Sequence, residues 1–403
     1  MSVSMQGQVG SPVRNIALLS ASQALAGASS SILVSVAALT AASMAPTQGM
    51  ATLPVGLMTV GTALATGPAA MAIHGWGRRN GFMFGAAVAV PAALVAALAA
   101  WLSNFWLFCA ALAVLGACAA FSQQYRFAAA DSVPPELKSR AISWVLFGGV
   151  LSGFIGPPLA AISKDWIPGA TFSATYLAMA VLALIAIGFL SQTRLAPTIT
   201  NPQDRRGGRP ISVLLRTPAI IVPMIAAALS YALMVLVMVA APLAMVYVCG
   251  HSSTDAAFAI QWHVVAMFAP SFVTGSIIQR IGAHLTAAIG FLLIGGAAIV
   301  NLSGTSVLHF DASLILLGLG WNFGFVASTT MLATAYRSEE AARVQGLNEQ
   351  VVFGVNAVVA IASGVLLDAV GWDSINVLTI PIATLAILIL GWSQFSAGRR
   401  MAS

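Results

Sequence analysis

Twelve stretches of about 20 apolar residues, separated by short polar breaks, constrain this chain more than any other feature. They lie near 15–42, 51–74, 81–102, 105–130, 141–163 and 172–191, then near 218–247, 256–278, 284–302, 306–335, 345–368 and 374–395. A stretch of that length crosses the hydrocarbon layer as a helix, because each backbone N–H and C=O must find its partner inside the segment. The expected fold is an all-α membrane protein with twelve transmembrane helices. Charged residues make up 7% of the chain, against about 25% in a soluble domain. A soluble enzyme is thereby excluded, and no catalytic residue is expected.

The stretches form two sets of six. Between them Thr193–Arg216 carries Asp204, Arg205, Arg206, Gly207, Gly208, Arg209 and Pro210, the only long charged linker. Two pseudo-symmetric six-helix bundles follow, over 1–192 and 218–403, with a cytoplasmic linker at 193–217. With both termini cytoplasmic, every Lys and Arg except Lys164 falls on the cytoplasmic side or at a cytoplasmic helix end. That bias accounts for the net charge of +6, so a nucleic-acid partner is not needed to explain it. The polar start, Met1 to Arg14, has no cleavable signal pattern. Cys109, Cys118 and Cys249 have no metal or redox spacing and indicate no disulfide framework.

Two motifs stand on consecutive helices: Met234-x-x-x-Met238 on the seventh and His263-x-x-x-Met267 on the eighth. A spacing of four places both members of a pair on one helix face. Counted from the shared loop, Met238 and His263 lie about 10–14 Å below one surface, with Met234 and Met267 one turn deeper. Three thioethers and one imidazole in two tiers suit a soft monovalent metal, Cu(I) before zinc or a hard cation. The same residues have a plain structural reading: Met fills apolar helices, and an intramembrane imidazole makes interhelical hydrogen bonds. The loop between these helices holds Cys249 and His251, a candidate point of metal uptake or an ordinary polar loop.

The loop after the second stretch reads Ala70-Met-Ala-Ile-His74-Gly75-Trp-Gly77-Arg78-Arg79, and the loop after the eighth reads Gly275-Ser-Ile-Ile-Gln279-Arg280-Ile-Gly282-Ala-His284. Both resemble the G-x-x-x-D-R-x-G-R-R loop of the major facilitator superfamily, with His74 or Gln279 in place of the Asp and Gly75 in place of the first Arg. The resemblance implies the major facilitator fold and gating roles for Gly77, Arg78, Arg79, Arg280 and Gly282. The loops Asp131–Arg140 and Tyr336–Arg343 also correspond, and each carries both signs of charge, so salt bridges there are expected to hold the inside gate.

Within that superfamily, the paired motifs resemble those of the CcoA-type bacterial copper importers, which supply haem–copper cytochrome c oxidase assembly. The resemblance implies a multi-pass inner-membrane transporter that imports copper by alternating access. Met234, Met238, His263 and Met267 would be its ligands. Copper would be the transported substrate, with no permanently bound cofactor. The expected carrier is a monomer in lipid, linked to oxidase assembly only through the copper it delivers. The alternative is import or export of a neutral organic molecule, riboflavin-like or drug-like. It rests on the uncharged interior polar groups Gln23, Gln123, Gln124, Tyr125, Gln261, Asn322 and Asn356.

Overall fold

The computed structural model describes residues 11–134, 137–195, 208–337 and 340–402. Within them the chain is all-helical, and twelve crossings can be followed. The first six are α1 (Pro12–Ala42), α2 (Leu53–Trp76), α3 (Arg78–Trp101), α4 (Phe105–Ala130), α5 (Lys138–Ser163) and α6 (Ser173–Ser191). The second six are α7 (Pro218–Val248), α8 (Ser253–Phe268 continued by Ser271–Ile281), α9 (Ala283–Ser303), α10 (Val307–Ala335), α11 (341–370) and α12 (372–402). Parts of the expected linker and gating loops, namely Asp204, Arg205, Arg206, Gly207, Glu136 and Glu339, lie outside the described residues.

Three breaks depart from straight spans, each for a local reason. Gly371, at φ 78°, separates α11 from α12 in a conformation that favours glycine. In α4, a turn at Gln123–Gln124 interrupts the helix between Ser122 and Tyr125. In α8, the axis bends by 46° at Ala269–Pro270. Pro270 has no N–H to give, so carbonyls of the preceding turn lose their usual donor. Asn322 of α10 repairs the gap. Its Nδ2 donates to the Met267 carbonyl at 2.7 Å and to Ser271 Oγ at 2.8 Å, while Thr274 Oγ1 donates to its Oδ1 at 2.6 Å. Asn322, expected as a cavity group, is thus a fully used structural staple.

The helix pairings repeat between halves. α1 on α5, α2 on α4, α3 on α4 and α3 on α6 recur as α7 on α11, α8 on α10, α9 on α10 and α9 on α12. Glycine makes the closest approaches possible. A Cβ on Gly116 of α4 would sit 1.9 Å from the Met58 carbonyl oxygen of α2, and one on Gly318 of α10 would sit 2.6 Å from the His263 carbonyl oxygen of α8. In membranes, where lipid tails are as apolar as Leu, such close packing is what holds helices together.

An even number of crossings puts both chain ends on one face, here the terminal face; the other is the distal face. The halves meet along two seams, α2 on α11 and α5 on α8. Four hydrogen bonds latch them at the distal face. Thr52 Oγ1 donates to the Ile361 carbonyl and accepts from the Gly364 N–H, both at 3.1 Å. Lys164 Nζ donates to Ser253 Oγ at 3.2 Å and to Thr254 Oγ1 at 3.3 Å, at the start of α8.

Candidate functional site

The four residues of the paired motifs all lie inside the protein. Met234 and His263 are 0% exposed, and Met238 and Met267 7%. The three methionines belong to one continuous apolar core. The His263 ring is oriented by α10: its Nδ1 lies 2.7 Å from the Leu314 carbonyl oxygen. A carbonyl only accepts, so Nδ1 carries a proton. Nε2 is enclosed and has no partner. α7 and α8, expected as face-to-face neighbours, instead each pack extensively on α10 and touch little beyond their connecting turn.

Cys249 and His251 are half-buried at the distal face. His251 Nε2 is 2.6 Å from the Thr305 carbonyl oxygen, and its ring packs against Phe310. Burial, and then the nearby Asp373 carboxylate, push the Cys249 thiol up, away from the thiolate that binds metal. Among the described residues, no group of three or more His, Cys, Asp or Glu side chains is arranged to hold a metal ion.

The chemistry that spacing did not reveal is an aromatic wall at mid-span in the C-terminal half. Trp321 and Phe325 of α10 stack at 5.2 Å with their planes 8° apart. Tyr231 of α7 meets both edge-on, at 5.3 and 5.5 Å, and reaches Phe353 of α11 at 6.2 Å. Phe268, at the bend of α8, closes on Trp321 at 6.2 Å. Two polar groups on the helices of this wall are unused: Trp321 Nε1 and both amide atoms of Asn356, one turn beyond Phe353, are enclosed without a hydrogen-bond partner. Gln261 Oε1, two turns before Phe268 on the side of α8 that meets α5, is likewise unpartnered. Buried polar groups are normally satisfied, so such a cluster calls for a solute or water to complete it. The signal in the sequence was the Trp321-x-x-x-Phe325 spacing, which puts two rings on one helix face. A separate pocket of about 90 Å³ lies within the N-terminal half, lined by Ala, Leu and Met side chains and by Ser29, Ser30, Cys118, Ser122 and Tyr125.

The profile of the Major Facilitator Superfamily matches residues 19–359 of the chain. The chain belongs to that superfamily. It is a multi-pass membrane transporter, and its relatives include the riboflavin transporter RfnT of Brucella anthropi, 42% identical over 94% of this chain and 95% of RfnT. A second, the uncharacterized MFS-type transporter YdeG of Bacillus subtilis, is 26% identical over 97% of this chain and 96% of its own length. The superfamily expectation is met. The copper-importer resemblance is not matched by these relatives, and the riboflavin transporter favours the neutral organic alternative.

The two loops expected to act in gating are built alike in backbone and unlike in side chains. Gly77 and Gly282 adopt the same left-handed conformation, φ 82° ψ 154° and φ 86° ψ 155°, between α2 and α3 and between α8 and α9. Arg78 pairs with Asp131 at the end of α4. Arg79 and Arg280 are exposed. On the linker, Arg209 grips the buried Glu340, with its Nε 2.9 Å from Oε1 and its Nη2 2.8 Å from Oε2, while its own N–H also donates to Oε1 at 2.8 Å. Neither ion pair joins the two halves: the first lies within the N-terminal half, and the second ties the linker to the C-terminal half.

Proposed function

We propose that this chain carries a neutral, flat heteroaromatic solute of the flavin type across the bacterial inner membrane by alternating access. The observation that carries the reading is the mid-span aromatic wall with its unpartnered amide. A stacked Trp–Phe pair offers a π surface to a planar ring system. The Asn356 amide and the Trp321 N–H supply both donors and an acceptor for a ring edge, with no full charge among them. A site built to complete such groups rejects solutes that lack them, because its own atoms would then stay unpaired. The likeness to a riboflavin transporter points the same way.

The test is labelled riboflavin flux in cells with and without the gene, in both directions. Faster uptake or faster loss supports the proposal, and unchanged flux in both directions sinks it.

One observation favours a second reading, copper as the transported substrate. His263 presents an Nε2 without a hydrogen-bond partner inside a methionine-bearing core. Neutral imidazole and thioether are the ligands a soft ion takes. Cellular copper content, measured in the same strains, separates the two readings. Under the flavin reading it does not change.

A further inference from the structure

The N-terminal half keeps an opening at a place that large side chains occupy in the C-terminal half. Counted from the paired loop glycines, Gly77 and Gly282, Ala86 and Ala89 of α3 stand where α9 has Phe291 and Ile294. Counted from the starts of their helices, Ala119 of α4 stands where α10 has Trp321. Phe291 and Ile294 are fully buried in the apolar core. Ala86, Ala89 and Ala119 line the pocket of the N-terminal half. The inner helices differ in the same sense: α7 and α10 pack along each other, whereas α1 and α4 touch little. Protein interiors are close-packed and rarely keep voids larger than a water, so a gap confined to one of two matched halves calls for an occupant.

The gap is a slot. Its lining on α3 runs from Gly85 to Ala93, about 12 Å of helix. Its volume of about 90 Å³ takes about six to nine waters. So small a volume over that length admits a chain and excludes a fused ring system. Polar side chains interrupt its apolar walls. Ser29, Ser30 and Ser122 each donate to a carbonyl of their own helix, at 3.3, 3.3 and 2.9 Å, so their oxygens are left to accept. Tyr125 is 2% exposed, lines the slot, and makes no hydrogen bond to another described residue. A polar group so deeply buried normally has a partner. Several acceptors and one uncommitted donor on apolar walls match a carbon chain that bears hydroxyls. A plain hydrocarbon chain would leave the Tyr125 O–H unused.

The slot also lies on the side where the aromatic wall stands. α1 borders α7 and α8 of the other half. α1 and α4 are the counterparts of α7 and α10, which bear Tyr231 and the stacked Trp321–Phe325 pair. The match of Ala119 with Trp321 puts slot and wall at one depth.

We propose that this slot receives the polyhydroxy chain of the flavin-type solute while the ring system lies on the aromatic wall of the other half. The serine oxygens accept from the chain's hydroxyls, and Tyr125 donates to one of them. The inference rests on the flavin reading and adds a recognition site for the part of the solute that the wall does not hold.

The test uses the purified full chain and two ligands: riboflavin, and lumiflavin, which has the same ring system with a methyl group in place of the chain. Binding is read from quenching of flavin fluorescence. The parent should bind riboflavin about tenfold more tightly than lumiflavin. Ala89→Ile puts into the slot the side chain that the other half carries at the matching position. It should abolish the preference by weakening riboflavin alone. Tyr125→Phe removes one donor and should weaken riboflavin about two- to tenfold, with lumiflavin not following.

Melting temperature reports whether each variant folds, and Ala89→Ile should leave it unchanged or raise it, because a void is filled. If that variant does not fold, Tyr125→Phe decides. A folded variant that keeps the parent's preference, or that weakens both ligands alike, would overturn the proposal. A parent that binds both ligands equally would overturn the slot and leave the wall standing. A parent that binds neither would overturn both.

Discussion

At the scale of single residues, the site is defined by which polar atoms have partners. Asn322 has spent both ends of its amide on the α8 bend, whereas Asn356 has spent neither. Replacing Asn356 with Leu should therefore leave the folded protein intact, because no internal hydrogen bond is lost, and should lower apparent affinity for riboflavin. Replacing Asn322 with Leu should lower the amount of folded protein instead. Trp321→Leu removes half of the stacked pair, and an aromatic contact of this kind is worth about 0.5–1.5 kcal/mol beyond burial. The expected result is a rise of up to about tenfold in the riboflavin concentration for half-maximal uptake. Trp321→Phe should recover most of it. His263→Leu discriminates between substrates. Riboflavin flux should stay within about twofold of the parent, since similar-volume apolar swaps are mild, while any copper accumulation due to the chain should vanish. Copper accumulation that survives the substitution would remove His263 from the ligand set.

At the scale of helices, packing distances sort glycines that look alike in the sequence. Gly116→Ala places a methyl against the Met58 backbone carbonyl, which cannot swing aside, and should cost about 1–3 kcal/mol in a thermal or denaturant unfolding assay in detergent. Gly67, in α2, has nothing within 4 Å of its would-be Cβ. Gly67→Ala should be neutral or stabilising by about 0.5–1 kcal/mol, because alanine restricts the unfolded chain and suits a helix. A larger loss at Gly67 than at Gly116 would contradict the α2–α4 contact. The bend of α8 follows the same logic. Pro270 predicts a break, but what makes the break tolerable is an amide supplied by a different helix.

At the scale of the whole molecule, two features govern how the halves hold and move. The distal latch includes Lys164, the one basic residue that the positive-inside reading leaves on the outer side. Lys164→Met should loosen that face, increasing the labelling rate of a distal-face cysteine while leaving the fold unchanged. Arg209 ties the described end of the linker to Glu340. Its guanidinium, followed by the backbone N–H groups of Arg209 and Arg337, holds the Glu340 carboxyl well below the usual carboxylate range. A depressed folded value means stabilisation that is present above the unfolded carboxylate value and is lost as pH falls below it. Melting temperature should thus fall as pH drops below about 4.3, the ordinary glutamate value, and Glu340→Gln should lower it at neutral pH and flatten that dependence. An identical pH profile in the two proteins would show that the clamp contributes nothing.

What the sequence determined by itself was the membrane, the helix count and the repeat. Those depend on local properties: the length of each apolar stretch against the bilayer, and glycine at the two loops that need a left-handed turn, Gly77 and Gly282. The sequence also placed Met234, Met238, His263 and Met267 on single helix faces, and all four are interior. It did not show that α7 and α8 both pack on α10, because which helices become neighbours is a matter of three-dimensional packing. For the same reason the aromatic wall was not legible. Tyr231, Phe268, Trp321 and Phe353 come from four helices spread over more than a hundred residues, and only Trp321 and Phe325 share a local spacing. Whether a buried polar group is satisfied was likewise decided by the tertiary structure. Asn322 and Asn356 are the same residue type at similar depth in apolar helices, and only the neighbour that each meets makes one a staple and leaves the other without an internal partner.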